Sequence, residues 1–146
     1  MISINYKDRI LQLSELTIGL TALLVGGLIY IVFRDERLLM FRWFDELGLS
    51  IFLSNLRVEY GHQNIYGWIK NSMPAGLWLF SYLFIVDSIW WKEKGIIYKG
   101  FIFVLPIMSI GSEIMQYYKV LPGTFDVLDI CSYMCAVILF LLIKKL

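Results

Sequence analysis

Glu113 and Gln116, and then Asp126 and Asp129, are spaced three residues apart within each pair, and the breaker Pro122-Gly123 separates the two pairs. Such spacing puts both members of a pair on one helical face. A proline-glycine turn makes the flanking helices antiparallel neighbours, so the pattern predicts that the four side chains converge. Carboxylates are hard oxygen donors, and Glu113, Asp126 and Asp129 together could hold a divalent cation, magnesium or calcium. Three carboxylates repel a bare phosphate, so a phosphate would have to arrive bridged by that cation or meet protonated acids. Two plainer roles compete. Asp126 or Asp129 can cap the helix that follows, where the macrodipole favours an anion, and Glu113 can bond to Gln116 or to nearby backbone. No Ser-His-Asp set, paired histidines or glycine-rich phosphate loop accompanies the cluster, so binding is expected rather than catalysis.

The elements that must position these residues are apolar. The chain has 146 residues, of which 59% are hydrophobic and 17% charged, with a mean hydropathy of +0.70. That balance is too oily for an ordinary soluble domain of this length and reads as an integral membrane protein. Four runs are candidate spans: Leu16 to Phe33, Pro74 to Trp91, Ile96 to Tyr118 and Val127 to Ile143. The first is free of charge and long enough for a hydrocarbon core of about 30 Å. The second starts with Ser72 at the N-cap and Pro74 in the first turn, and it ends in Trp90 and Trp91 followed by lysines, an interface signature. The third carries Pro106, which predicts a kink, and Glu113, which must face the bundle because lipid exposure of a charge costs at least about 2.5 to 3.5 kcal/mol. The fourth ends in Lys144 and Lys145, which can snorkel at its exit.

Between the first two runs, the loop from Arg34 to Met73 mixes aromatic and charged residues. It predicts an interfacial helix with Phe41, Trp43, Phe44, Ile51 and Phe52 on its apolar side, rather than a further span. The expectation is therefore an all-α, single-domain integral membrane bundle of four transmembrane helices, with an extracytoplasmic interfacial helix between the first and second. The charged N-terminal stretch is not followed by a convincing cleavage site, so the first span is expected to stay as an anchor.

Lys7, Arg9, Lys92, Lys94, Lys99, Lys144 and Lys145 fall on the side of the termini. Arg34, Arg37, Arg42, Arg57, Lys70 and Lys119 fall on the other, a small excess in favour of cytoplasmic termini. A net charge of +1 offers no field for nucleic acid. Asp87 lies at the opposite end of its run from the acidic cluster, where a local pairing with Lys92 or Lys94 is expected. The lone His62 reads as a surface or capping residue. Cys131 and Cys135 share one helical face without enough ligands for a metal site and read as small packing residues.

The order Glu113-x-x-Gln116, a proline-glycine turn, then Thr124-Phe125-Asp126-x-x-Asp129 at the head of the last span resembles the C-terminal signature of VanZ-like membrane proteins. The family's arginine before the Thr-Phe-Asp portion falls at about Gly123, and its asparagine and glycine in the last helix fall at about Tyr133 and Ala136. The resemblance implies a bacterial inner-membrane protein of the cell envelope, with an antibiotic-resistance role towards glycopeptides of the teicoplanin type in the name-giving members. Two functions fit the residues. In one, the acidic cluster binds a lipid-linked or cell-wall precursor; in the other, the chain is a non-enzymatic accessory subunit whose polar cluster docks a larger membrane-protein partner.

Overall fold

The computed structural model describes residues 6–34, 39–61, 63 and 65–145. The expectation for His62 falls outside them. The described residues form seven α-helices and no strand: α1 (Tyr6–Phe33), α2 (Leu39–Glu46), α3 (Ser50–Tyr60), α4 (Gly67–Asn71), α5 (Met73–Ile89), α6 (Ile96–Tyr117) and α7 (Val127–Lys145).

Three of these, α1, α6 and α7, are long and apolar enough to cross a membrane. Their outward faces carry large apolar side chains, among them Leu24, Ile107 and Leu142, each more than half exposed. A largely apolar exterior of this kind suits a lipid environment. The segment expected as the second span becomes α5, a 17-residue apolar helix, about 26 Å long at 1.5 Å per residue. Its start is nearly continuous with α4, since the Ser72 N–H donates to the Trp68 carbonyl at 2.9 Å. Ser72 takes the N-cap position, but its hydroxyl makes no capping bond.

Helix α5 is the centre of the bundle, with α1 on one flank and α6 and α7 on the other. It is apolar on all sides because every side is covered. Leu79, Leu83, Phe84 and Val86 join Ile102, Ala136 and Phe140 in one core. The Phe84 and Phe140 rings meet edge to face with centroids 5.3 Å apart. Small residues bring the backbones together: Gly19, Ala22 and Gly26 are the buried residues of α1, and a Cβ on Gly26 would sit 3.0 Å from the Trp78 ring. Close approach through small residues is the usual means of helix association where no hydrophobic force acts between helices. Pro106 lies buried inside α6, and the Tyr82 hydroxyl donates to the Phe101 carbonyl about one turn before it.

The loop expected to hold one interfacial helix instead holds α2, α3 and α4. Gly48, at φ 71°, provides the left-handed turn between α2 and α3. Phe41 and Leu53 turn inward and are buried, whereas Trp43, Ile51 and Phe52 are exposed. Arg57 fastens α3 to the end of α1 by donating to the carbonyls of Ile31 and Arg34. Those are the carbonyls a helix C-terminus leaves without intrahelical donors.

Candidate functional site at the turn end

The bundle has two polar ends of opposite character. At the end holding the α6–α7 turn, α6 closes with Lys119 in the left-handed region, φ 57°, and the Val120 N–H donates back to the Met115 carbonyl at 2.9 Å. Tyr117 stacks edgewise on Phe125 with centroids 5.2 Å apart, folding the turn over the last turn of α6. Gly123, at φ 140°, lies against the Gln116 amide, and a Cβ there would come within 2.8 Å of it. A side chain larger than hydrogen is thus strained by the backbone conformation, and the Gln116 amide would have to move aside.

Glu113 is buried, at 4% exposure, and its Oε2 accepts the Asp126 backbone N–H at 3.2 Å. Asp126 Oδ1 accepts the Leu128 N–H at 2.9 Å, which caps α7. The Asp129 N–H donates to the Asp126 carbonyl at 3.1 Å, while Asp129 Oδ1 is buried without a hydrogen-bond partner. The structure therefore joins Glu113 to Asp126 directly, seats Gln116 on the turn at Gly123, and puts Asp129 in the first turn of α7. Capping belongs to Asp126. No lysine or arginine among the described residues pairs with these carboxylates.

A buried carboxylate oxygen with no donor is what a hard cation would take. Among the described residues, however, no three His, Cys, Asp or Glu side chains stand together as a ready metal cage. A magnesium or calcium ion at Glu113, Asp126 and Asp129 would complete its coordination from water or from the ligand it bridges.

At the other end, where α1 begins and α7 ends, the buried acid is compensated. Asp87 is 2% exposed and pairs with Lys94 and Lys144, and the Tyr98 hydroxyl donates to it at 2.5 Å. Lys144 also pairs with Glu15. Lys92, the alternative partner expected for Asp87, bonds to Asp8 at 2.6 Å instead, and the Gln12 amide donates to the Ser88 carbonyl at 2.8 Å. Sequence reasoning found Lys94 but missed Lys144, Glu15 and Tyr98. Lys144 turns inward rather than snorkelling out, and the available signal was a single acid, Glu15, near the start of an otherwise apolar helix.

An apolar groove of about 360 Å³ runs between α5 and α7, lined by Trp68, Gly76, Phe80, Leu128, Cys135 and Leu139 among others. Cys131 and Cys135 are exposed along it as free thiols rather than packed inside. Comparison with family models, with curated proteins and with solved structures found no match for this chain.

Proposed function

We propose that the chain is a VanZ-like protein of the bacterial inner membrane that crosses four times, with α1, α5, α6 and α7 as spans and both termini cytoplasmic. Its turn-end carboxylates bind the headgroup of a lipid-linked or cell-wall component. One observation carries this reading: Glu113, Asp126 and Asp129 are gathered at one end of an apolar bundle with no basic partner among the described residues, whereas Asp87 at the other end pairs with Lys94 and Lys144. Intramembrane acids are costly, and one that is not neutralised within the protein is a ligand site by default. The group that answers it is a cationic headgroup, or a phosphate bridged by a divalent cation. The chain is a binder rather than an enzyme, and its envelope or glycopeptide-resistance role follows from the resemblance.

The test is binding of a polyprenyl phosphate to the purified protein in nanodiscs, with and without magnesium or calcium. Glu113→Gln keeps the shape and removes the charge, and is expected to weaken cation-dependent binding at least about tenfold, or 1.4 kcal/mol. Equal binding by the two proteins would remove the carboxylate site. The accessory-subunit reading draws support from the exposed Trp43, Ile51 and Phe52 on the docked loop. It requires a membrane partner that co-purifies at fixed stoichiometry.

A further inference from the structure

We infer that the groove between α5 and α7 is an acyl-chain site, holding one hydrocarbon chain of a lipid whose headgroup lies over the acidic cluster. The inference extends the headgroup reading above and rests on it for the headgroup alone. The groove itself has four properties that point to its occupant.

A close helix contact fixes its floor. Helices α5 and α7 already touch at Gly76, where a Cβ would lie 2.9 Å from Ser132 Cβ and 3.0 Å from the Ser132 carbonyl oxygen. On the α7 side the walls beside that contact are small, Cys131, Cys135 and Ala136, while Leu77 and Phe80 stand on the α5 side, and the Gly76 contact keeps the two backbones from moving closer. Empty space of this size forfeits dispersion contacts along its whole lining.

It is one leaflet deep. Along α7 the groove runs from Leu128 to Leu139, about 16 Å at 1.5 Å per residue, against about 15 Å for half of a hydrocarbon core. It ends at Leu139, short of the last turn of α7, where Lys144 pairs with Glu15 of α1 and Asp87 of α5. A groove of that length matches one acyl chain, whereas a transmembrane helix from another copy or a partner would need contact along the whole of α7.

Its mouth opens at headgroup level. Leu128, the first α7 residue on the groove, is the one whose N–H caps onto Asp126, and Trp68 of α4 stands at the same end. Tryptophan is enriched at the level of lipid headgroups. A chain entering beside Trp68 would leave its headgroup next to Asp126 and Asp129.

Its lining is apolar from mouth to end, which excludes a sugar or a peptide as occupant, because unpaired polar groups there would have no partners.

The test uses the protein reconstituted in nanodiscs of phosphatidylethanolamine and phosphatidylglycerol, transferred to mild detergent, with retained lipid counted by native mass spectrometry. The wild type is expected to keep one lipid per chain. Cys135→Phe, which fills the groove, is expected to lower that occupancy at least tenfold, while Leu142→Phe, on an exposed position of α7 beyond the groove, leaves it unchanged. Unfilled and lipid-filled wild type give a second measurement that needs no variant: N-ethylmaleimide should alkylate Cys131 and Cys135 at least tenfold faster once lipid is stripped. Equal retention by Cys135→Phe, equal alkylation rates, or efficient Cys135-to-Cys135 crosslinking between copies would each overturn the acyl site. Loss in Cys135→Phe but not in Glu113→Gln upholds the groove and removes the headgroup reading, and the converse pattern does the reverse.

Discussion

Asp87 and Glu113 are both buried acids in apolar helices, yet their surroundings assign them opposite work. Asp87 is the node that ties α5 to the 90–95 linker through Lys94, to α6 through Tyr98 and to α7 through Lys144. Removing its charge leaves Lys94 without its counter-ion and Lys144 with Glu15 alone, and the partial exposure of both lysines moderates the loss. Asp87→Asn is therefore expected to lower stability in detergent by about 1 to 3 kcal/mol, seen as a lower melting temperature. Asp87→Leu combined with Lys144→Met should cost less than the sum of the two single changes, because the pair is then removed together. Additive losses would show that the pairs contribute nothing. Glu113 accepts one backbone N–H, from Asp126, and a glutamine oxygen can accept the same bond. Glu113→Gln is expected to stay within about 1 kcal/mol of the wild type in stability, so that its effect on binding can be read without an unfolding artefact.

At the scale of helices, association depends on where side chains are missing. The contact of Gly76 with the Ser132 backbone leaves no room for a methyl group, whereas Gly27, one residue past the close contact at Gly26, has open space around it. Gly76→Ala should separate α5 from α7 and cost about 1 to 3 kcal/mol, as overpacking does. Gly27→Ala should be neutral or stabilise by up to about 1 kcal/mol through helix propensity. Melting temperatures of the two variants side by side check this, and equal values would show that the α5–α7 crossing is looser than its geometry. The α2–α3 pair has a different attachment: buried Phe41 and Leu53 supply the apolar contact, and Arg57 supplies the donors to the end of α1. Its outer face keeps Trp43, Ile51 and Phe52 exposed, as an amphipathic segment at an interface would.

For the whole molecule, the distribution of free charge is sharper than the count of residues. At the termini end Lys7, Arg9, Lys99 and Lys145 point outward as exposed cations. At the turn end Arg42 and Lys119 are exposed, while Arg34 bonds to Asn71 at 3.1 Å, Arg57 is engaged with carbonyls, and Lys70 lies over the Phe33 ring at 5.9 Å. Under the positive-inside bias, this distribution is the support for the proposed topology. With both native cysteines replaced by serine, Lys119→Cys should react with a membrane-impermeant maleimide in intact cells and Glu93→Cys only after lysis. Labelling in the opposite sense would invert the proposed topology and move the acidic cluster to the cytoplasmic side.

Length and composition alone marked α1, α6 and α7 as helices able to span a membrane, because an apolar run of such length with few charges suits a hydrocarbon core. The neighbourhood of Glu113 and Asp126 was also legible, since a short Pro-Gly turn limits how far apart the helix ends can lie. So was the Asp87–Lys94 pair, for it is local. Tertiary structure decided the rest. That α5 is the central helix, and that Lys144 reaches Glu15 across 129 positions of sequence, depend on how each helix is rotated about its own axis. A uniformly apolar helix carries almost no periodic signal for that rotation. The groove depends on it too: Gly76 and Ser132 meet only in the folded bundle, and their contact leaves Cys131 and Cys135 lining an open channel instead of a core. Backbone sterics at one glycine, rather than any motif, made that space.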